Sequence, residues 1–137
     1  MSQIGIGIIG LGTISEMHLK SYQNNPAARI VAVCDLNEER ARAKAEKYGV
    51  PNVYTDYRDM LQNPEVQAVS VCTWNNTHAL FSIAALDAGK HVLVEKPLCK
   101  TVEEAREIEA AVRRSGKQLQ VGFVRRYGSN TGIVRSF

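Results

Sequence analysis

The sequence predicts a doubly wound α/β domain: a parallel sheet with helices on both faces, in three layers. Three observations carry that expectation. Short apolar runs alternate with helical patterns along nearly the whole chain, and the first of these runs breaks into Gly10-Leu11-Gly12. The second ends on a carboxylate, Asp35, 20 positions past Ser15, the last residue of that glycine turn.

Ile4, Ile6, Ile8 and Ile9 mark the first strand, and a helical pattern follows from Ile14 to about Asn24. A strand that ends in Gly-x-Gly and feeds a helix is the phosphate-gripping turn of a dinucleotide-binding fold. Gly10 permits the tight turn, and Gly12 lets the backbone approach a pyrophosphate that a Cβ would push away. The freed N–H groups and the positive end of the helix dipole then face the phosphates. Ser15 stands where the pattern has its third glycine, a position that governs helix–strand packing.

The run Arg29–Asp35 is the second strand. A carboxylate at its end accepts hydrogen bonds from ribose hydroxyls and repels a 2′-phosphate. Leu36 and Asn37 follow in place of an arginine, so NAD is favoured over NADP, although Arg40 could reach around. The alternative is that Asp35 helps to cap the next helix beside Asn37.

That helix is expected over Asn37–Tyr48, with Asn37 at its N-cap, Glu38 and Glu39 in its first turn and Gly49-Val50-Pro51 as its stop. A short strand at Asn52–Tyr54 and a short helix at Tyr57–Leu61 come next, the latter ending near Asn63-Pro64. Ala68–Cys72 is the fourth strand, Thr77–Ala88 a helix closed by Gly89, and His91–Val94 the fifth strand. Thr101-Val102-Glu103-Glu104 reads as a capping box that opens a helix to Ser115, with Gly116 just beyond. Gln118–Val124 is the sixth strand, then a turn at Gly128-Ser129-Asn130 leads to a helical start from Thr131 to Phe137. Six strands fit the two mononucleotide-binding halves of a Rossmann domain.

Composition narrows the function classes. The chain has 137 residues, 45% hydrophobic and 23% charged, with a net charge of +3, as in an ordinary single globular domain. Its basic residues are scattered among acidic ones, which argues against a nucleic-acid partner. The apolar stretches are too short for a bilayer, and the start lacks the pattern of a signal peptide. Cys34, Cys72 and Cys99 are odd in number and widely spaced, which points to reduced thiols in a cytoplasm. His18, His78 and His91 share no metal-ligand spacing, so no metal is expected.

Two more stretches lie at the carboxyl ends of strands, where open α/β sheets bind ligands: Cys72-Thr73-Trp74-Asn75-Asn76-Thr77-His78 and Val94-Glu95-Lys96-Pro97-Leu98. With the glycine turn and Asp35 they make the sequence resemble the family of glucose–fructose oxidoreductase, inositol dehydrogenase and rhizopine-catabolism proteins (Gfo/Idh/MocA). That family has a glycine turn, an acidic residue ending the second strand, a Thr-Pro-Asn-x-x-His segment and a Glu-Lys-Pro segment, in this order. The resemblance extends to Val121–Tyr127 and so covers essentially the whole chain.

The resemblance implies roles position by position. Gly10, Gly12, Thr13 and Ile14 hold the pyrophosphate and Asp35 the adenosine ribose. Thr73, Trp74, Asn75 and His78 line the cofactor's middle and nicotinamide side. Glu95, Lys96 and Pro97 sit beside the nicotinamide, with the Lys96–Pro97 peptide cis. Trp74 departs from the family's proline; its indole either stacks on the cofactor or narrows the nicotinamide pocket. Lys96, expected to lie partly buried beside a cationic nicotinamide, is the residue implied to share or accept the proton of a substrate hydroxyl. The competing reading of Lys96 is a lysine snorkelling out of a strand end.

His18 reads as a packed or half-exposed helical residue, His91 as structural, Cys34 and Cys72 as small apolar side chains, and Glu103–Arg114 as a solvated helix face with pairs such as Glu109–Arg113. Arg125, Arg126 and Tyr127 are candidates to face substrate. The combined expectation is an NAD(P)-binding domain over residues 1–127 and, over 128–137, the start of a connection to a carboxyl-terminal substrate domain. The family's activity is hydride transfer between the cofactor and a sugar, polyol or related hydroxylated substrate, and the chain alone then lacks a complete active site. The rival readings are a non-catalytic NAD(H)-binding module that docks on a partner protein, and a structural domain without ligand. The sixth strand offers an open edge for pairing with another chain.

Overall fold

The computed structural model describes residues 2–128. Six strands, β1 (Ile4–Ile9), β2 (Ala28–Cys34), β3 (Asn52–Tyr54), β4 (Ala68–Val71), β5 (His91–Val94) and β6 (Leu119–Val121), form one sheet in the order β3-β2-β1-β4-β5-β6. Every neighbouring pair is parallel. The helices are α1 (Ser15–Gln23), α2 (Glu38–Tyr48), α3 (Tyr57–Gln62), α4 (His78–Asp87) and α5 (Val102–Ser115). Two 3₁₀ turns, Asn75–Thr77 and Val124–Tyr127, complete the described elements. The doubly wound α/β class expected from the sequence is the class observed.

Alternation along β1 builds the two sides of the core. Ile6 and Ile8 pack with Leu19 of α1, Val33 of β2 and Ala41 and Ala45 of α2. Ile9, on the opposite face, joins Val31, Val69, Val71, Val92 and Val94 against Met60 of α3, Ala85 and Leu86 of α4 and Ala111 of α5. Burying both faces of β2 leaves Val31, Ala32 and Val33 without exposure, hence its near-continuous apolar run. Gly5 is required by close approach: a Cβ there would stand 1.9 Å from the carbonyl oxygen of Glu65.

The helix signals act largely as the sequence suggests. The Asn37 side chain accepts from Arg40 N–H at 3.0 Å, and Gly49 and Gly116 stand at the C-caps of α2 and α5. Thr101 caps α5 by accepting from Glu104 N–H, but the Glu104 carboxylate receives Lys100 N–H, so the reciprocal half of the expected capping box is shifted by one residue. The Glu109–Arg113 pair forms at 2.6 Å.

The sixth strand is a correction. Expected over Gln118–Val124, it covers only Leu119–Val121, and Val124–Tyr127 coils into a 3₁₀ turn. Its one neighbour among the described residues, β5, ends at Val94; Gly122 N–H bonds Val94 O, and Phe123 N–H then turns back onto Val121 O. An edge strand with no partner left to pair with has no reason to continue. The expected turn from Ser129 and helix from Thr131 to Phe137 lie outside the described residues, as does most of the expected 128–137 connection. Among the described residues no helix is long and apolar enough to cross a membrane.

Candidate functional site

From β1 the chain steps outward to β2 and β3; from β4 it steps the other way to β5 and β6. The loops after β1 and β4 therefore part from one another, leaving a crevice at the carboxyl edge of the sheet. Gly10, at the end of β1, has φ +88°, and a Cβ there would lie 2.8 Å from the backbone carbonyl of Cys72. Its N–H bonds Cys34 O at 2.9 Å, which docks the turn on the end of β2. Gly12 lies outside the left-handed region, and a Cβ added to it would meet nothing within 4 Å.

The next three groups decide what this turn can hold. The hydrogen bonds of the helix start with Ser15 N–H to Gly12 O, and the N–H groups of Gly12, Thr13 and Ile14 have no acceptor among the described residues. Ile14 occupies the N-cap and supplies no side-chain bond, whereas Asn37, Asp56 and Thr101 cap α2, α3 and α5. Three neighbouring orphan donors at the positive end of α1 form an anion-ready cluster. Ser15, fully buried in place of the third glycine, satisfies its hydroxyl by donating to Gly12 O at 2.6 Å.

Asp35 stands beside this cluster, directly after β2. Its Oδ2 accepts Leu11 N–H at 2.9 Å and its Oδ1 accepts Asn37 N–H at 2.8 Å. The carboxylate thus joins the glycine turn to the start of α2; the helix cap itself is Asn37. Arg40 does reach around, with Nη1 3.5 Å from Asp35 Oδ2.

The β4 and β5 corners face each other across a buried histidine. His78 is 1% exposed, with Nδ1 2.6 Å from Pro97 O and Nε2 3.1 Å from Thr73 O. It ties the two loops together from beneath, so any influence it has on a ligand in the crevice runs through those loops. Thr77 donates its hydroxyl to Thr73 Oγ1 and approaches Trp74 O, both at 2.7 Å. Trp74 is 84% exposed. The Lys96–Pro97 peptide is cis. Lys96 is exposed, not partly buried as expected, because β5 has ended and no described residue covers it; its ammonium makes no hydrogen bond or ion pair among the described residues.

Sequence reasoning placed His18 in the first helix but missed its partners. It is buried on the sheet-facing side of α1, with Nε2 2.7 Å from Glu95 Oε1 and Nδ1 3.3 Å from Ser70 Oγ. Ser70 in turn lies 2.6 Å from the Tyr22 hydroxyl. The available signal was helical spacing, which puts Ser15, His18, Leu19 and Tyr22 on one face, a polar quartet member among core positions. Burial pushes the Tyr22 phenol above its ordinary value, leaving it a hydrogen-bond donor. Burial likewise pushes the Cys34 thiol up to about 12, and that of Cys72 up further with the help of Glu95, so both behave as inert apolar fillers. Among the described residues no group of His, Cys, Asp or Glu is placed to hold a metal ion.

The chain has counterparts in known proteins. An uncharacterized oxidoreductase, YrbE, of Bacillus subtilis is 37% identical over 125 residues, covering 91% of this chain and 37% of that protein. Inositol 2-dehydrogenase of Salmonella typhimurium is 38% identical over 124 residues, covering 88% of this chain and 37% of that protein. The structure of scyllo-inositol dehydrogenase from Lactobacillus casei, with bound NAD(H) and scyllo-inositol, superposes with a TM-score of 0.92 at 26% identity. That match covers 98% of this chain and 40% of the other. The chain therefore spans little more than a third of the length of the curated relatives it matches. The model of the oxidoreductase family with an NAD-binding Rossmann fold, Gfo/Idh/MocA, matches residues 4–123, and the chain belongs to that family.

Proposed function

We propose that this chain binds NAD(H) at the carboxyl edge of its sheet and serves as the cofactor half of a dehydrogenase acting on a polyol or sugar. The observation that supports it most is the run of orphan N–H groups at Gly12, Thr13 and Ile14, in front of open space beside Gly12. A pyrophosphate supplies the acceptors those donors lack. Asp35 keeps acceptor capacity beyond its two backbone bonds, enough for the hydroxyls of the adenosine ribose. Thr73, Trp74 and Asn75 lie on the loop that borders the middle of such a ligand, and Glu95, Lys96 and Pro97 on the loop at its nicotinamide end.

The bound cofactor supplies the hydride acceptor or donor. The chain's own part is to orient it and to manage the accompanying proton. Lys96, with no competing partner on its side-chain nitrogen among the described residues, is the group that, as the neutral amine, takes the proton of a substrate hydroxyl and, as the ammonium so formed, returns it to a carbonyl oxygen in the reverse direction. Names of relatives, inositol 2-dehydrogenase above all, support a cyclic polyol as substrate class. NAD is preferred over NADP because the Asp35 carboxylate repels a 2′-phosphate; Arg40, half-exposed, offsets only part of that charge. The unpaired thiols of Cys34, Cys72 and Cys99 support a reducing compartment such as the cytoplasm.

The test uses the single tryptophan, Trp74. The chain is titrated with NADH and then NADPH while Trp74 emission and energy transfer to the nicotinamide are followed. Saturable quenching, tighter for NADH, is expected. Tighter NADPH binding refutes the Asp35 argument, and no response from folded protein refutes the binding reading.

A further inference from the structure

Helix α1 carries the orphan donors at its start, and one turn later it carries His18, whose Nε2 lies 2.7 Å from Glu95 Oε1 on the far side of the crevice. The other Glu95 oxygen, Oε2, accepts the backbone N–H of Lys96 at 3.3 Å. We infer that His18 is a positioning residue for the Glu95–Lys96 corner, joining the pyrophosphate end of the site to its nicotinamide end. This rests on the NAD(H)-binding reading.

One direction of hydrogen bonding satisfies every group with a neutral imidazole. With Nε2–H donating to the carboxylate, Nδ1 accepts from the Ser70 hydroxyl, and Ser70 Oγ accepts from the buried Tyr22 phenol. The imidazole ring is thus held from behind by β4 and by its own helix. The Glu95 carboxylate is held as well: a Cβ on Gly122 would come within 3.3 Å of Oε1, so the backbone just past β6 closes over it, and its side chain is 13% exposed. A carboxylate gripped by an imidazole on one side and walled by a glycine on the other has little freedom. Through its bond to Lys96 N–H it sets the direction in which the lysine leaves the end of β5. Removal of the imidazole leaves that carboxylate buried without its partner, and it then turns toward solvent and takes the corner with it.

The experiment separates the two ends of the ligand. The 137-residue chain and its His18→Leu and His18→Gln variants are titrated by calorimetry with NADH and with ADP-ribose, which lacks the nicotinamide. Leucine fills the space without a donor; the glutamine amide nitrogen reaches about as far as Nε2 and restores one. The wild-type chain is expected to bind NADH more tightly than ADP-ribose. His18→Leu weakens NADH about tenfold and ADP-ribose no more than about twofold, and His18→Gln recovers most of the loss. Should His18→Leu fail to fold, Ser70→Ala, which removes only the hydroxyl behind the ring, decides the matter with an NADH-selective loss of about threefold. An equal loss for both ligands, or no recovery in His18→Gln, overturns the positioning role and leaves the NAD(H) reading standing. Failure of the folded wild-type chain to bind either ligand overturns both.

Discussion

Gly10 and Gly12 sit two residues apart in one turn, yet the structure assigns them opposite consequences on substitution. Gly12→Ala adds a methyl group that meets nothing within 4 Å, at a residue outside the left-handed region. Stability should hold or rise by about 0.5 kcal/mol, since alanine restricts the unfolded chain. The same methyl group enters the space in front of the orphan N–H groups of Gly12, Thr13 and Ile14. Loss of even one charge-assisted bond to a phosphate weakens NADH binding about tenfold or more. Gly10→Ala instead forces φ +88° on an L-residue and drives a Cβ to 2.8 Å from the Cys72 carbonyl. Left-handed strain of about 1–2 kcal/mol and overpacking of about 1–3 kcal/mol add to several kcal/mol. For a domain of this size that lowers the melting temperature by about 10 °C or more. Thermal melts and Trp74 quenching by NADH read both effects. A Gly12→Ala melt more than about 5 °C below wild type refutes the open space at Gly12. Wild-type NADH affinity in folded Gly12→Ala refutes the phosphate assignment.

Three further outcomes are expected. The Ser82 hydroxyl is the one buried side-chain oxygen without a partner among the described residues, so Ser82→Ala should raise stability by about 1 kcal/mol in a denaturant titration; a loss of that size refutes the account. Glu16 is held at about 2, down from 4.5, first by its hydrogen bond from Lys44 and next by that from Tyr48. A folded value below the unfolded one means this contribution is complete above about pH 4.5 and disappears as pH falls through about 2, so Glu16→Gln should flatten the stability curve across that window. Asp35→Ser should narrow or reverse the preference for NADH over NADPH, with Arg40 released to meet a 2′-phosphate; an unchanged ratio of dissociation constants refutes the role of the carboxylate.

The strand and helix order was legible because each β-α unit signals itself locally: Ile6 and Ile8 alternate with glycines, Asn37 and Thr101 announce helix starts, and Gly49 and Gly116 mark ends. The sixth strand was overread because a strand's length depends on its neighbour, and the end of β5 at Val94 leaves no trace in Gln118–Val124. The glycine turn and Asp35 could be found from spacing alone, since both belong to one continuous β-α-β unit. His18 could not. Its partners lie 52 and 77 residues away, on β4 and after β5, and are brought together only when both halves of the sheet close. Helical spacing put it on the buried face, but no local pattern names a partner across the fold. Burial also separates residues that the family resemblance groups together: His78 lies beneath the loops while Trp74 and Lys96 stand open above them.

That division has a consequence for how affinity is distributed along the ligand. On the side proposed for adenosine the groups are already ordered by bonds to the protein itself: Leu11 and Asn37 N–H on Asp35, Cys34 O on Gly10, Gly12 O on Ser15. A ligand arriving there orders little, so most of each new contact appears as affinity. On the nicotinamide side the backbone of the two loops is clamped by His78, but the side chains of Trp74, Asn75 and Lys96 make no hydrogen bonds among the described residues, and Trp74 is 84% exposed. Fixing a lysine and an indole costs about 0.5–1.5 kcal/mol each, which consumes much of what their contacts return. The adenosine and pyrophosphate portion should therefore carry most of the binding free energy, and the nicotinamide end should be the part most sensitive to whatever holds the Glu95 carboxylate. Among the described residues, the group that holds it from the opposite side of the crevice is His18.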